Sequence, residues 1–251
     1  MPQAPTRRIL RLSGQDVVPF LQGLITNDVA CVKTGLVYTA MLTPQGKFLA
    51  DFFLRQDGDT VLLDVDEDSA DMLIQRLNMY KLRADVTITQ AELFVHRGLG
   101  QVPADGLADP RHDALGWRAY RDTVQTDDTT DWTELRVAHL VPETGIELTA
   151  DTFILEVGFE RLNGVDFRKG CYVGQEVTAR MKHKTELRKG LAKVRVKGDA
   201  EPGCEITSMG KPVGTLLSRS GDRALAYLRF DRAGGPMQAG DTIITRIADA
   251  Q

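Results

Sequence analysis

The residue whose surroundings promise most chemistry is Cys171, in the stretch RKGCYVGQEVTAR from Arg168 to Arg180. Nucleophilic attack and soft-metal binding belong to the thiolate, so the charges around a thiol decide what it can do. Arg168 and Lys169 bring two cations, and a helix starting near Gly174 would place the sulfur just before a helix N-terminus. Both favour the anion. Gly170 and Gly174 permit tight turns and leave room for a ligand. A buried structural cysteine beside a helix cap fits the same residues, because free cysteines are commonly inert core groups. The residues alone leave both readings open.

The other candidates are weaker. His183 is the nearest histidine in sequence, and His96, His112 and His139 are scattered without paired spacing. None is assigned to a metal, and a Cys–His hydrolase is a poor fit. Cys31 and Cys204 read as structural. The run Arg180, Lys182, His183, Lys184, Arg188, Lys189 is either a solvated helix end or a landing strip for an anionic tail.

Elements that must position these groups follow from periodicity. Val17, Phe20, Leu21 and Leu24 predict a helix from about Gln15 to Ile25, with Ser13 as its cap. A strand is expected over Leu36–Leu42, a turn at Pro44-Gln45-Gly46, and a hairpin at Asp57-Gly58 between ADFFLR and TVLLDV. DVDEDSADMLIQRLNMYKLR is acidic at its start and basic at its end. Ala70, Leu73, Leu77 and Tyr80 share one face of it, which predicts a helix. ADVTIT, ELFVHRG and GWRAYR read as strands and TDWTELRVAHL as a short helix, giving an α+β sandwich over about 50–140. From GLAKVRVKG onward, alternating strands and frequent glycines predict a small β-barrel or sandwich.

The chain has 251 residues, 26% of them charged, and a net charge of -4, which argues against a dedicated nucleic-acid binder. No apolar run approaches the roughly 20 residues of a membrane helix. The N-terminus lacks the pattern of a secretory signal. Three sparse cysteines are neither a disulfide framework nor a zinc site, and point to a reduced cytoplasmic compartment. A monomer is the default expectation.

KGCYVGQE resembles the signature of the YgfZ family of folate-binding proteins, relatives of the glycine-cleavage T-protein. FLQGLITNDV, MLTPQGKFLADF, DTFILEVGFERLNGVDF and ELRKGL are similar to further stretches of that family, so the resemblance covers nearly the whole chain. It implies an α+β fold: a three-lobed T-protein-like ring with a ferredoxin-like middle lobe and a C-terminal β-barrel. The implied lobes are residues 1–50 with 141–186, then 51–140, then 187–251. It also implies a tetrahydrofolate-binding factor for assembly or repair of iron-sulfur clusters in client enzymes. Cys171, Lys169 and Asp51 would be its working groups, and Glu156, Asp51, Asn27 and Arg180 its folate contacts. A carboxylate at Glu156 suits the donor edge of a pterin. Of the transferase's two adjacent aspartates only Asp51 remains, beside Ala50. A folate-dependent aminomethyltransferase and a non-catalytic folate-sensing adaptor are the alternatives.

Overall fold

The structure is a computed structural model that describes residues 6–183 and 187–248. Lys184 of the basic run and the lobe boundary expected at Glu186 lie outside the described residues. The chain forms two compact units, Met1–Thr130 with Phe159–Val177, and Asp131–Gly158 with Thr178–Gln251.

The first unit begins with β1 (Arg7–Ser13), α1 (Val17–Gln22), a 3-10 turn (Val29–Lys33), β2 (Val37–Leu42), β3 (Phe48–Asp57), β4 (Thr60–Asp66), α2 (Glu67–Lys81) and β5 (Thr87–Gln90). They build one antiparallel sheet in the order β2-β3-β4-β1-β5. Without the edge strand β2, this is the β-α-β-β-α-β order of a ferredoxin-like sheet. That pattern runs over residues 7–90, so the boundary expected after residue 50 falls inside β3. The reason is the central place of β1. Its Leu10 pairs with Leu63 on one side and Gln90 on the other, and no local signal announces partners so distant in sequence.

α1 is shorter than its periodicity predicts. Ser13 ends β1 rather than capping the helix. Asp16 holds the cap position, but its carboxylate accepts from the Asp85 backbone N–H at 2.8 Å, tying α1 to the segment before β5.

Strand alternation gives the sheet two unlike faces. Leu10, Leu12, Phe52, Leu54, Leu63 and Val65 share one apolar core with Ala70, Leu73 and Leu77 of α2. The opposite face carries Tyr38, Asp51, Phe53 and Asp64, in the register Tyr38–Phe53–Asp64. A second small sheet has β6 (Phe94–Gly98), β7 (Leu107–Ala108) and β8 (Trp117–Arg121), in the order β6-β8-β7. It meets that face through buried charge. Arg118 pairs with Asp64 at 3.1 Å and Asp109 at 3.2 Å, and Arg7 pairs with Asp64 at 2.6 Å. The guanidinium groups of Arg7, Arg111 and Arg118 lie 5.8, 4.9 and 4.0 Å from the Phe53 ring centre. Buried charges of this kind need partners on every side, and here each has one or more.

The second unit contains α3 (Trp132–His139), most of α4 (Gln175–His183) and the strands β9 (Lys189–Lys197), β10 (Glu205–Ser208), β11 (Lys211–Ser220), β12 (Arg223–Arg229), β13 (Met237–Ala239) and β14 (Thr242–Arg246). The six strands close a barrel in the order β10-β11-β12-β9-β14-β13, which leaves no open edge. Ala192, Val194 and Val196 face its core, as the alternation predicts. Arg136 of α3 pairs with Glu143 at 2.5 Å and Glu147 at 3.5 Å. Glu147 in turn accepts from the Ser218 backbone N–H of β11 at 3.0 Å.

Candidate functional site

Cys171 lies on a loop that is anchored on both sides. Upstream, the Thr26 hydroxyl donates to the Gly164 carbonyl at 2.6 Å, and the Asp166 backbone N–H donates to the Thr26 carbonyl at 3.0 Å. Lys169 is buried, and its ammonium donates to the carbonyls of Gln22 at 2.8 Å and Ile25 at 2.5 Å. Gln22 is the last residue of α1, where carbonyls lack intrahelical partners and a cation is favoured. The ammonium also lies 5.0 Å from the ring centre of buried Tyr172. Burial pushes the Lys169 ammonium down to about 8, while Asp28 and Asp166 pull it the other way.

Downstream, the Val173 backbone N–H donates to the Gly23 carbonyl at 3.2 Å. Gly174 has φ +85° and a Cβ there would meet the Thr43 carbonyl oxygen at 2.7 Å. Gly174→Ala combines left-handed strain with that collision, so a loss of about 1–3 kcal/mol in urea unfolding is the expected result. Wild-type stability in this variant would mean the loop does not need this close approach. Between these anchors the Cys171 side chain is exposed, four residues before the start of α4. The residue is therefore not the buried cysteine beside a helix cap that the same stretch could also have made. The role expected of Lys169 changes with it: two of its three N–H bonds go to carbonyls, so it fixes the loop.

Asn27 also serves the loop. Its amide donates to the Tyr38 carbonyl at 2.8 Å and the Asn163 carbonyl at 2.7 Å, and its oxygen accepts from the Asp28 backbone N–H at 2.9 Å. Both donors are therefore committed to protein carbonyls. Asp51 is buried on β3 and accepts from the Tyr38 hydroxyl at 3.0 Å. Burial first, and then Asp51, push that phenol well above its ordinary range. Arg111 lies 5.4 Å from the Tyr38 ring centre. Burial works against the charge of Asp109, yet Arg111 and then Arg118 hold its carboxyl well below the usual range.

Glu156 and Arg180 belong to the second unit. Glu156 is buried, with the Tyr227 hydroxyl donating to Oε2 and the Lys189 ammonium 3.7 Å from Oε1. Its backbone carbonyl accepts from Leu191 at 2.7 Å, which joins it to β9. Burial and the hydrogen bond to Glu156 hold the Tyr227 phenol far above its ordinary value. Arg180 is exposed on the basic last turns of α4. A pterin edge at Glu156 needs two acceptor oxygens aimed outward as a fork. Here the Tyr227 hydroxyl donates to Oε2 and the Lys189 ammonium stands 3.7 Å from Oε1, so a pterin at Glu156 would have to displace or share these partners.

Cys31, read from sequence as structural, is exposed in the 3-10 turn. Burial, then Asp28 and Asp166, push its thiol up. Cys204 is half-buried against the barrel core. Thr26, Tyr38 and Tyr172 in the first unit, and Tyr227 in the second, contribute without having been singled out from sequence, whereas Lys189 stood in the basic run. Tyr172, inside KGCYVGQE, and Thr26, inside FLQGLITNDV, carried local signals; Tyr227 carried none. Among the described residues no group of three or more His, Cys, Asp or Glu side chains is placed to hold a metal ion.

Residues 188–248 match the family described as CAF17, C-terminal beta-barrel domain. The chain is 30% identical to the iron-sulfur cluster assembly factor IBA57, mitochondrial, of Mus musculus, over 92% of this chain and 78% of that protein. Identity to the Homo sapiens protein of the same name is 30%, over 92% and 78%. The IBA57 homolog of Mycosarcoma maydis is 33% identical over 75% of this chain and 55% of its own, so the chain spans about half the length of that relative. Among solved structures, the glycine cleavage system aminomethyltransferase T from Bartonella henselae superposes with a TM-score of 0.77 at 14% identity, covering 97% of this chain and 83% of that one. That likeness shows the fold. The relatives' names overturn the cytoplasmic expectation, since they point to the mitochondrion. Sparse free cysteines report a reducing environment and do not tell one reducing compartment from another.

Proposed function

From the premise that this chain belongs to the IBA57 family of iron-sulfur cluster assembly factors, we propose that it serves cluster assembly through the thiol of Cys171. The observation that carries this reading is the exposed sulfur on a loop pinned at Lys169, Val173 and Gly174. A thiolate is a soft ligand suited to iron-sulfur species. No set of three protein ligands stands ready among the described residues. Cys171 thus offers one ligand to a cluster whose other ligands come from a carrier or client protein, and its exposure lets such a partner approach. The test is complementation. In cells lacking their own copy of this factor, the wild-type chain should restore the activities of iron-sulfur enzymes under oxidative stress. Failure to restore any of them, with the protein expressed and folded, rejects the reading.

Tetrahydrofolate is a finer proposal that rests on Glu156. The carboxylate is buried beside apolar neighbours, but a pterin would have to displace or share the Tyr227 hydroxyl. The expected result, if Glu156 holds the pterin, is that Tyr227→Phe tightens binding of 5-formyltetrahydrofolate and Glu156→Gln abolishes it in fluorescence titration. Identical affinities for wild type and both variants remove Glu156 from any folate site.

A further inference from the structure

The outer surface of the barrel holds a feature that the thiol reading does not use. Outward positions of β9 are Lys193, Arg195 and Lys197, opposite the inward Ala192, Val194 and Val196. Arg195 is the direct cross-strand partner of Arg223 on β12 and of Thr245 on β14. Lys197 is the partner of Ile243. Arg195, Lys197 and Arg223 are all exposed, and Ile243 is 57% exposed. On this face Arg195 pairs with Asp222 at 3.3 Å, and Asp222 is itself exposed.

Like charges placed directly opposite each other across strands cost stability. The fold gains nothing from setting Arg223 against Arg195. The surplus extends through the barrel: residues 187–251 hold eleven Lys and Arg against seven Asp and Glu, in a chain whose net charge is -4. We propose that this face of the barrel docks an acidic protein surface. Ile243 would be buried at the contact, with Arg195, Lys197 and Arg223 pairing carboxylates around it. An exposed apolar residue flanked on one side by cations fits the apolar core and polar rim of a protein interface. A nucleic acid is disfavoured, because the outward positions Lys193, Arg195, Lys197, Arg223, Ile243 and Thr245 offer no aromatic ring for base stacking.

The test is fluorescence anisotropy of the full chain with a labelled Glu-rich peptide of about 20 residues carrying spaced leucines. An oligothymidylate of equal length and phosphatidylserine vesicles serve as competing probes. The peptide should bind at about 50 mM salt and weaken about tenfold by about 300 mM. Arg195→Glu with Arg223→Glu should weaken it at least about tenfold. Arg223→Glu alone turns a repulsive cross-strand pair into an attractive one, so its melting temperature should rise while peptide affinity falls. Ile243→Ser should lower affinity and leave the salt dependence unchanged. No peptide binding at low salt, tighter binding of the oligothymidylate or the vesicles, or variants that bind like wild type would each overturn the proposal.

Discussion

Cys171→Ser is expected to abolish rescue of client iron-sulfur enzymes while leaving the melting temperature within about 2 °C of wild type. The two halves of this prediction have separate causes. Stability is spared because the side chain is exposed and the loop is held by its neighbours, not by the sulfur. Function is lost because a serine hydroxyl is a hard, weakly acidic oxygen and a poor ligand for an iron-sulfur species. Cys31→Ser supplies the contrast. That thiol is exposed too, but its environment pushes it up, towards the protonated form. Cys31→Ser should rescue fully. Rescue by Cys171→Ser at the wild-type level would sink the thiol reading whatever the fold.

Lys169→Met should cost about 1–3 kcal/mol in urea unfolding, since the carbonyls of Gln22 and Ile25 lose a buried donor. A pH dependence accompanies it. The Lys169 ammonium falls from its ordinary 10.5 to about 8 in the folded chain. Between those values the unfolded chain binds a proton that the folded chain does not, so unfolding free energy rises with pH through this window. Below about pH 8 both states carry the proton and the slope vanishes. Urea titrations at several pH values across the window should show the rise in wild type and its loss in Lys169→Met. An equal slope in both proteins would place the titration elsewhere. The same variant should also lower client rescue, because it releases the loop that presents Cys171.

Much of the architecture is legible in the residues. α2 follows from an acidic start, a basic end and an apolar stripe at Ala70, Leu73 and Leu77. The β3–β4 hairpin follows from Asp57-Gly58, where Gly58 takes φ +57°. The barrel follows from alternation in β9. All three depend on neighbours within a few positions. α1 is shorter than its periodicity predicts, and its cap residue, Asp16, is tied to Asp85, some seventy positions away.

By itself, the sequence determined the local periodicities, the strand-and-glycine texture of the barrel, and a cysteine set among cations and glycines that matches a known family signature. Only the tertiary structure decided that the sulfur faces solvent. It alone directed Lys169 to the end of α1, gave the Asn27 donors to protein carbonyls, and set Tyr227 against Glu156. The physical reason is the same in each case. Which donor meets which acceptor depends on pairings across 11 to 147 positions of chain, and nothing in the flanking residues encodes them.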